Sequence, residues 1–279
     1  MSTISFETVM SEFDNMVQEE LQNIEKLAGT VREYDTSGES FNIPYFDQLS
    51  MKASDFSSGN IPAVDVAQRN VQIVQANHNL KTTIGYAYQT LFNYDVIQGH
   101  VQQHAHALAR FNDNMKLKAL IAADAQFTVG NNNLVTSTDL SVANIIAGRF
   151  KLIDNGCTGD RLSMYTSAKN MPTLFNDNDF KSWDQNSARP LMKGSIGHYA
   201  GVDVRVLSSA SLENTLPKAT GPNNYIVDYD SIAVGYNRRP SSKVCVEDDQ
   251  DRVTILSVAT AGSIVTRPEG VCKIITTTV

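Results

Sequence analysis

Residues 77–120, NHNLKTTIGYAYQTLFNYDVIQGHVQQHAHALARFNDNMKLKAL, change their hydrophobic period midway, and that change decides the fold class. Up to Tyr88 the larger groups alternate, at Leu80, Thr82, Ile84, Tyr86 and Tyr88, which is the pattern of a strand with one wet face. From Asn93, a plausible N-cap, the period becomes helical. Ile97, Val101, Ala105, Leu108, Phe111 and Met115 share one face, and the pattern continues to about Ala123. Roughly 30 residues at 1.5 Å each give about 45 Å, well beyond the usual helix of a globular domain. There is no heptad continuity, so the segment reads as a strut against which sheets pack.

Upstream, Phe41, Ile43 and Tyr45 alternate with Ser40, Asn42 and Pro44, and Val71 and Ile73 with Asn70, Gln72 and Gln75. Two strands are therefore predicted around a long polar excursion over residues 47–68. That excursion contains Ser57-Ser58-Gly59-Asn60 and Pro62, and such loops inside a compact domain usually carry function. Met51, Phe56, Ile61 and Val64 are too few for a private core and too many for a solvated loop, so they are expected to meet a neighbouring subunit. Further upstream, apolar residues recur every three or four positions from Phe6 to Leu27, and Gly29 is the expected stop. This predicts a terminal helix with an acidic outer face. Phe6, Phe13 and Val17 are expected to act between subunits, and a cut after Gly29 to leave a folded subunit that assembles badly.

Downstream, a helix is expected over residues 139–153, capped within residues 137–139 and stopped at Asn155-Gly156. Short strands and helices follow: a strand over 161–165, a helix over 167–175, strands at 202–206 and 225–227, and strands from Lys243 to the C-terminus. Arg238-Arg239-Pro240-Ser241-Ser242-Lys243 reads as a solvated turn. Arg238 and Arg239 are expected to pair with the nearby Asp248 and Asp249, or with such groups across a subunit interface.

Composition narrows the function. With 23 Lys+Arg against 30 Asp+Glu the net charge is −7, which argues against wholesale wrapping of nucleic acid. No window approaches the roughly 20 apolar residues of a membrane span, and the acidic N-terminus is unlike a secretory signal. Cys157, Cys245 and Cys272 form neither a disulfide framework nor a zinc cage. Neither a phosphate-cradling glycine loop nor a nucleophile elbow occurs, and Gly194-Ser195-Ile196-Gly197 has the wrong spacing for one. His100 and His104 stand one turn apart and could clamp a metal, but HExxH fails and no further ligand is indicated. They are read instead as helix histidines whose paired protonation weakens assembly as pH falls through about 6.5. Asp177, Asp179 and Asp184 lack the calcium-loop pattern. No catalytic residue, cofactor or metal is expected.

The order of elements resembles the HK97-type major capsid protein fold of tailed bacteriophages, in its podovirus-like form. SGESFNIPYFDQLSMKASDFSSGNI is similar to the segment from arm to extended loop, and residues 77–120 to the strand leading into the spine helix. SVANIIAGRFKLIDNGCTGDRLSMYTSAKNMPTLFNDNDF, GSIGHYAGVDVRVLSS and GSIVTRPEGVCKIIT resemble the axial domain and the closing strands. The resemblance implies an α+β chain with an N-terminal arm over residues 1–36, an extended β-hairpin E-loop over 37–79 and a peripheral (P) domain over 80–138 whose spine helix spans about 94–123. It also implies a mixed α/β axial (A) domain over 139–240, and C-terminal strands over 241–279 shared between the two. It further implies a structural protein that self-assembles into hexamers and pentamers of an icosahedral head, with a portal and packaged double-stranded DNA. Because the chain begins close to the arm, a separate scaffolding protein is expected rather than a built-in one. An encapsulin-type nanocompartment shares the implied fold, and a soluble α+β enzyme using His100 and His104 is the rival from another class. The expected location is the virion, assembled in the host bacterial cytoplasm.

Overall fold

In a computed structural model of the chain, the residues described are 17, 25–46, 68–85, 96–128, 133–177, 197–207, 223–247 and 252–276. The first half supplies β1 (Arg32–Asp35), β2 (Ser40–Phe46), β3 (Gln68–Val74), β4 (Ala76–Gly85), α1 (Val96–Ala122) and α2 (Asp124–Thr128). The second half supplies β5 (Leu134–Ser137), α3 (Val142–Asp154), β6 (Leu162–Ser167), α4 (Met171–Asn176), β7 (His198–Tyr199) and β8 (Val202–Leu207). It closes with β9 (Asn223–Asp228), β10 (Ile232–Glu247), β11 (Arg252–Val265) and β12 (Val271–Thr276).

Three sheets organise these elements. One has the order β1-β10-β11-β4, a second β5-β12-β9-β6-β8-β7, and among the described residues β2 pairs only with β3. The long helix α1 lies on the first sheet because its apolar stripe matches the sheet's inner face. Met115, Leu117 and Leu120 share a core with Val234, Ala261 and Val265. The same core takes in Tyr165, Tyr225 and Val271 of the second sheet, so apolar burial couples the two halves. On the second sheet α3 packs through Ile145 and Leu152 onto Met164, Ile226 and Ile274. It lies close there because Gly148 faces Ile226, and a β-carbon at that position would approach Ile226 Cδ1 to 2.8 Å.

The helix of residues 139–153 begins later than its sequence suggests, since the cap is Ser141, whose Oγ accepts from Asn144 N. The larger correction concerns residues 238–243, which are not a turn. They lie inside the sixteen-residue β10, where its register with β11 shifts between Tyr236 and Arg238 and again between Arg238 and Ser241. Pro240 has no N–H to give a ladder, and a bulge is where a strand accommodates it. Two expected domain boundaries, at 79/80 and 240/241, consequently fall within β4 and β10.

The chain before β1 also differs from expectation. Residues 25–31 form turns, not the end of a helix. Leu27 and Val31 are buried beside Met115 and Tyr165. Val17 is fully buried against Val101, Ala105 and Leu108 of α1, Val244 of β10 and Ile255 of β11. It packs within its own chain, so its assignment to an intersubunit contact is withdrawn. Phe6 and Phe13 lie outside the described residues.

Candidate functional site

The β2–β3 hairpin forms a two-stranded sheet of its own beside the first sheet. Its strands pair in register from Ser40↔Val74 to Phe46↔Gln68, while its root packs Ile43 and Ile73 against Ala233 of β10. A two-stranded ribbon is marginal alone in water. Val74 at the root remains 72% exposed. Met51, Phe56, Ile61 and Val64 lie outside the described residues, as do Asp248 and Asp249.

Among the described residues, the carboxylates that Arg239 meets lie far upstream of it in the sequence. It reaches β1, with Nε 2.8 Å from Asp35 Oδ1 and Nη1 3.3 Å from Glu33 Oε2. The reason is the strand order: parallel pairing of β1 with β10 sets Asp35 opposite Tyr236, close to the bulge. Arg239 is exposed, so the pair contributes little to stability. Arg238 is also exposed on the same bulge.

Behind Glu33 lies a buried junction. Lys116 of α1 has no exposed surface, and its Nζ donates to Glu25 Oε1 at 2.7 Å and to the Leu27 carbonyl at 2.8 Å, with Glu33 Oε1 at 3.6 Å. One turn away, Asp113 accepts the backbone N–H of Leu27 at 3.0 Å and of Lys26 at 3.4 Å. Burial raises the Asp113 carboxyl above its ordinary range, opposed by the Leu27 N–H and by Lys116. Thr30 Oγ1 donates to the Leu27 carbonyl and so accepts from Tyr165 of β6 at 2.7 Å. Residues 25–31 are thus clamped to α1 and to the second sheet. A second junction lies beyond α1, where Lys273 of β12 contacts both Asp124 carboxylate oxygens at 2.7 and 2.9 Å and Tyr225 donates to one of them. None of these buried charges could be recognised from the sequence, because their partners lie about 80 to 150 residues away.

The histidine pair divides. His104 is 1% exposed, with Nε2 2.7 Å from Thr82 Oγ1 and Nδ1 2.6 Å from Ser257 Oγ. Ser257 in turn bonds Ser242 at 2.7 Å, so the ring sits in a hydroxyl seam across β4, β11 and β10. Burial, and then the neighbouring His100, lower its pKa below the ordinary value of 6.5. Both ring nitrogens are engaged, which leaves His104 no free lone pair for a metal. His100 is half-buried, and its Nδ1 has no hydrogen-bond partner among the described residues. One turn apart on α1, His104 is thus sealed inside the subunit and His100 only half-buried. Among the described residues no three His, Cys, Asp or Glu side chains gather in a way that could hold a metal. Asp177 accepts the N–H of Val142 at the start of α3, and Asp179 and Asp184 lie outside the described residues. No described helix is long and apolar enough to cross a membrane.

The fold has close counterparts. The chain superposes on the capsid protein of cyanophage P-SCSP1u with a TM-score of 0.70 at 13% identity, covering 90% of this chain and 87% of that one. For the head structure of Helicobacter pylori bacteriophage KHP40 the TM-score is 0.70 at 11% identity, covering 92% and 91%. For the cyanophage Pam1 capsid it is 0.67 at 13% identity, covering 91% and 92%. No curated protein sequence matches. A family model described as phage capsid protein spans residues 6–278, nearly the whole chain. The chain therefore belongs to the phage capsid protein family, as a major capsid protein with the HK97-like fold.

Proposed function

We propose that copies of this chain join in hexamers and pentamers, with the β2–β3 hairpin as the E-loop that reaches a neighbouring subunit. The observation that carries this reading is the hairpin itself: two regular strands that, among the described residues, pair only with each other, and whose intervening residues carry Met51, Phe56, Ile61 and Val64. A ribbon of this kind gains stability when a second surface covers it. In this reading the β1-β10-β11-β4 sheet with α1 is the peripheral domain, and the six-stranded sheet with α3 is the axial domain. Phe6, Phe13, Arg238, Asp248 and Asp249 are further candidates for intersubunit contact.

The shell encloses double-stranded DNA without reading its sequence, is built with a separate scaffolding protein and a portal, and assembles in the host cytoplasm. It performs no catalysis. With a net charge of −7, the protein holds the packaged genome mainly by confinement. Replacing residues 49–67 by a short Gly-rich turn tests the reading. The shortened protein should keep its circular dichroism spectrum and solubility yet form no closed shells in negative-stain microscopy. Unfolding on shortening, or normal shells, would overturn the assignment of the hairpin.

A further inference from the structure

On the solvent side of α1, positions 102, 106, 110, 114 and 118 recur every fourth residue and carry Gln102, His106, Arg110, Asn114 and Lys118. Each side chain can donate a hydrogen bond and none is acidic. At 1.5 Å per residue the row is about 24 Å long. Gln102, His106, Arg110 and Lys118 are exposed, and Asn114 is half-exposed. Asp113, the one carboxylate of α1, is turned away and accepts the N–H groups of Lys26 and Leu27.

The strand beside the row, β4, has the sequence ANHNLKTTIG and also lacks a carboxylate. Between helix and strand runs an open groove of about 620 Å³, lined by Leu80, Thr82, Gln103, His104, His106 and Arg110. His78 of β4 has its pKa lowered by burial first and by the charge of Lys118 second, so that charge is felt at the strand. Arg110 Nε donates to the His106 carbonyl one turn back, which holds the guanidinium along the helix. An acidic chain thus presents a carboxylate-free row of donors a little over four helical turns long.

We propose that this face seats the phosphate backbone of the packaged duplex, an inference that rests on the reading that the shell encloses DNA. Guanidinium, ammonium and amide donors in a row recognise phosphate oxygens at any sequence. A dry apolar stripe, as for a docked helix, is absent from the row. The seat holds two full charges, Arg110 and Lys118, so it is weak and salt-sensitive, in keeping with the overall acidity. Each phosphate neutralised contributes about 0.9 to the slope of log affinity against log salt.

The test compares the unassembled full-length protein with R110Q/K118Q, and with R32Q/K243Q as a control carrying the same charge change elsewhere. Fluorescence anisotropy with a short labelled duplex should give a salt slope that falls by about 2 in R110Q/K118Q. It should stay at the parental value in the control. All four positions are exposed, and thermal midpoints check that each variant is folded. Equal slopes in the two variants overturn the seat, and so does binding of polyglutamate in the absence of duplex binding, which assigns the face to an acidic protein partner. The underlying reading is scored separately by the nucleic-acid content of native heads. DNA-filled heads with an unaltered salt slope remove only the seat, whereas heads without DNA remove both.

Discussion

Gly235 of β10 and Gly262 of β11 stand directly opposite each other in the antiparallel ladder, and the root of the β2–β3 hairpin lies in the notch they leave. A β-carbon on Gly262 would run into the carbonyl of Val74 and come within 2.8 Å of Ile73 Cγ2. On Gly235 it would meet the Gln75 amide at 3.3 Å and Ile73 Cγ2 at 3.7 Å. The hairpin therefore leaves the sheet at an angle set by backbone contact, with a rigid carbonyl on one side and yielding side chains on the other.

This asymmetry predicts different costs for two alanines. Gly262→Ala forces the hairpin root off the sheet and should destabilise the protein by about 1–3 kcal/mol, the usual range for overpacking. Gly235→Ala should cost less, since Gln75 can rotate away. Urea unfolding gives the energies and microscopy the yield of closed shells. Equal costs for the two substitutions would show that the carbonyl contact does not fix the angle.

Lys116 is predicted to be a structural cation. Lys116→Met leaves Glu25 and Glu33 without their buried counter-charge and should cost about 3–5 kcal/mol. Glu25→Gln should cost less, because Lys116 keeps the Leu27 carbonyl and Glu33. The same geometry corrects the expectation for removal of residues 1–29. That cut deletes Glu25 and Leu27 and exposes the core around Met115 and Tyr165, so the truncated chain should unfold at much lower urea and not merely assemble badly. A truncation that begins at Ile24 keeps the Lys116 junction but uncovers the core around Val17, so it should cost stability, though less than the longer cut.

Some of this architecture is legible in the sequence and some is not, for identifiable reasons. The long helix α1 and the strand before it are legible because each follows one period over many residues, with few interruptions. β10 is misread because Arg238, Arg239 and Pro240 look like a turn, while the bulge that accommodates them depends on a register with β11 that no local pattern contains. Val17 is misassigned for a related reason. An apolar stripe announces that it will be buried, but whether its own α1 or a second chain covers it is a matter of topology. Lys116 and Lys273 look like ordinary surface cations until Glu25, Glu33 and Asp124 are brought to them. The donor row on α1 has a regular spacing in the sequence, yet a net charge of −7 averages it away.

The pH dependence of stability is predicted to originate inside the subunit. His104 has a folded pKa below 6.5, through burial first and His100 second, and His78 shifts the same way through burial and Lys118. Above pH 6.5 folded and unfolded chains both hold these rings neutral, and their contribution is constant. Below it the unfolded chain binds protons that the folded one refuses, so stability falls with pH by up to about 1.4 kcal/mol per unit for each ring. Asp113 and Asp228, whose values burial raises, act in the opposite sense at lower pH, because the folded state then takes up protons first. Urea midpoints between pH 7.5 and 5.5 should decline for the parent protein and more gently for His104→Asn. Identical slopes would remove His104 from the account.

The last prediction concerns the junction of Asp124, Tyr225 and Lys273, where α2 meets the second sheet. Lys273 is almost fully buried and both Asp124 oxygens face it, one of them also accepting from Tyr225. Tyr225 packs edge-on against Phe127 at 6.2 Å, so its ring remains seated when the hydroxyl is removed. Tyr225→Phe therefore deletes one hydrogen bond to a charged acceptor and should cost about 1.5–3 kcal/mol. Asp124→Ala deletes the counter-charge of a buried ammonium and should cost about 3–5 kcal/mol. Replacing Asp124 and Lys273 together, as Asp124→Ala with Lys273→Met, removes the uncompensated charge and should restore part of that loss. A double-mutant cycle in urea measures the coupling. If Asp124→Ala proves no more costly than Tyr225→Phe, the ammonium has found water or another acceptor, and this junction does not hold α2 on the second sheet.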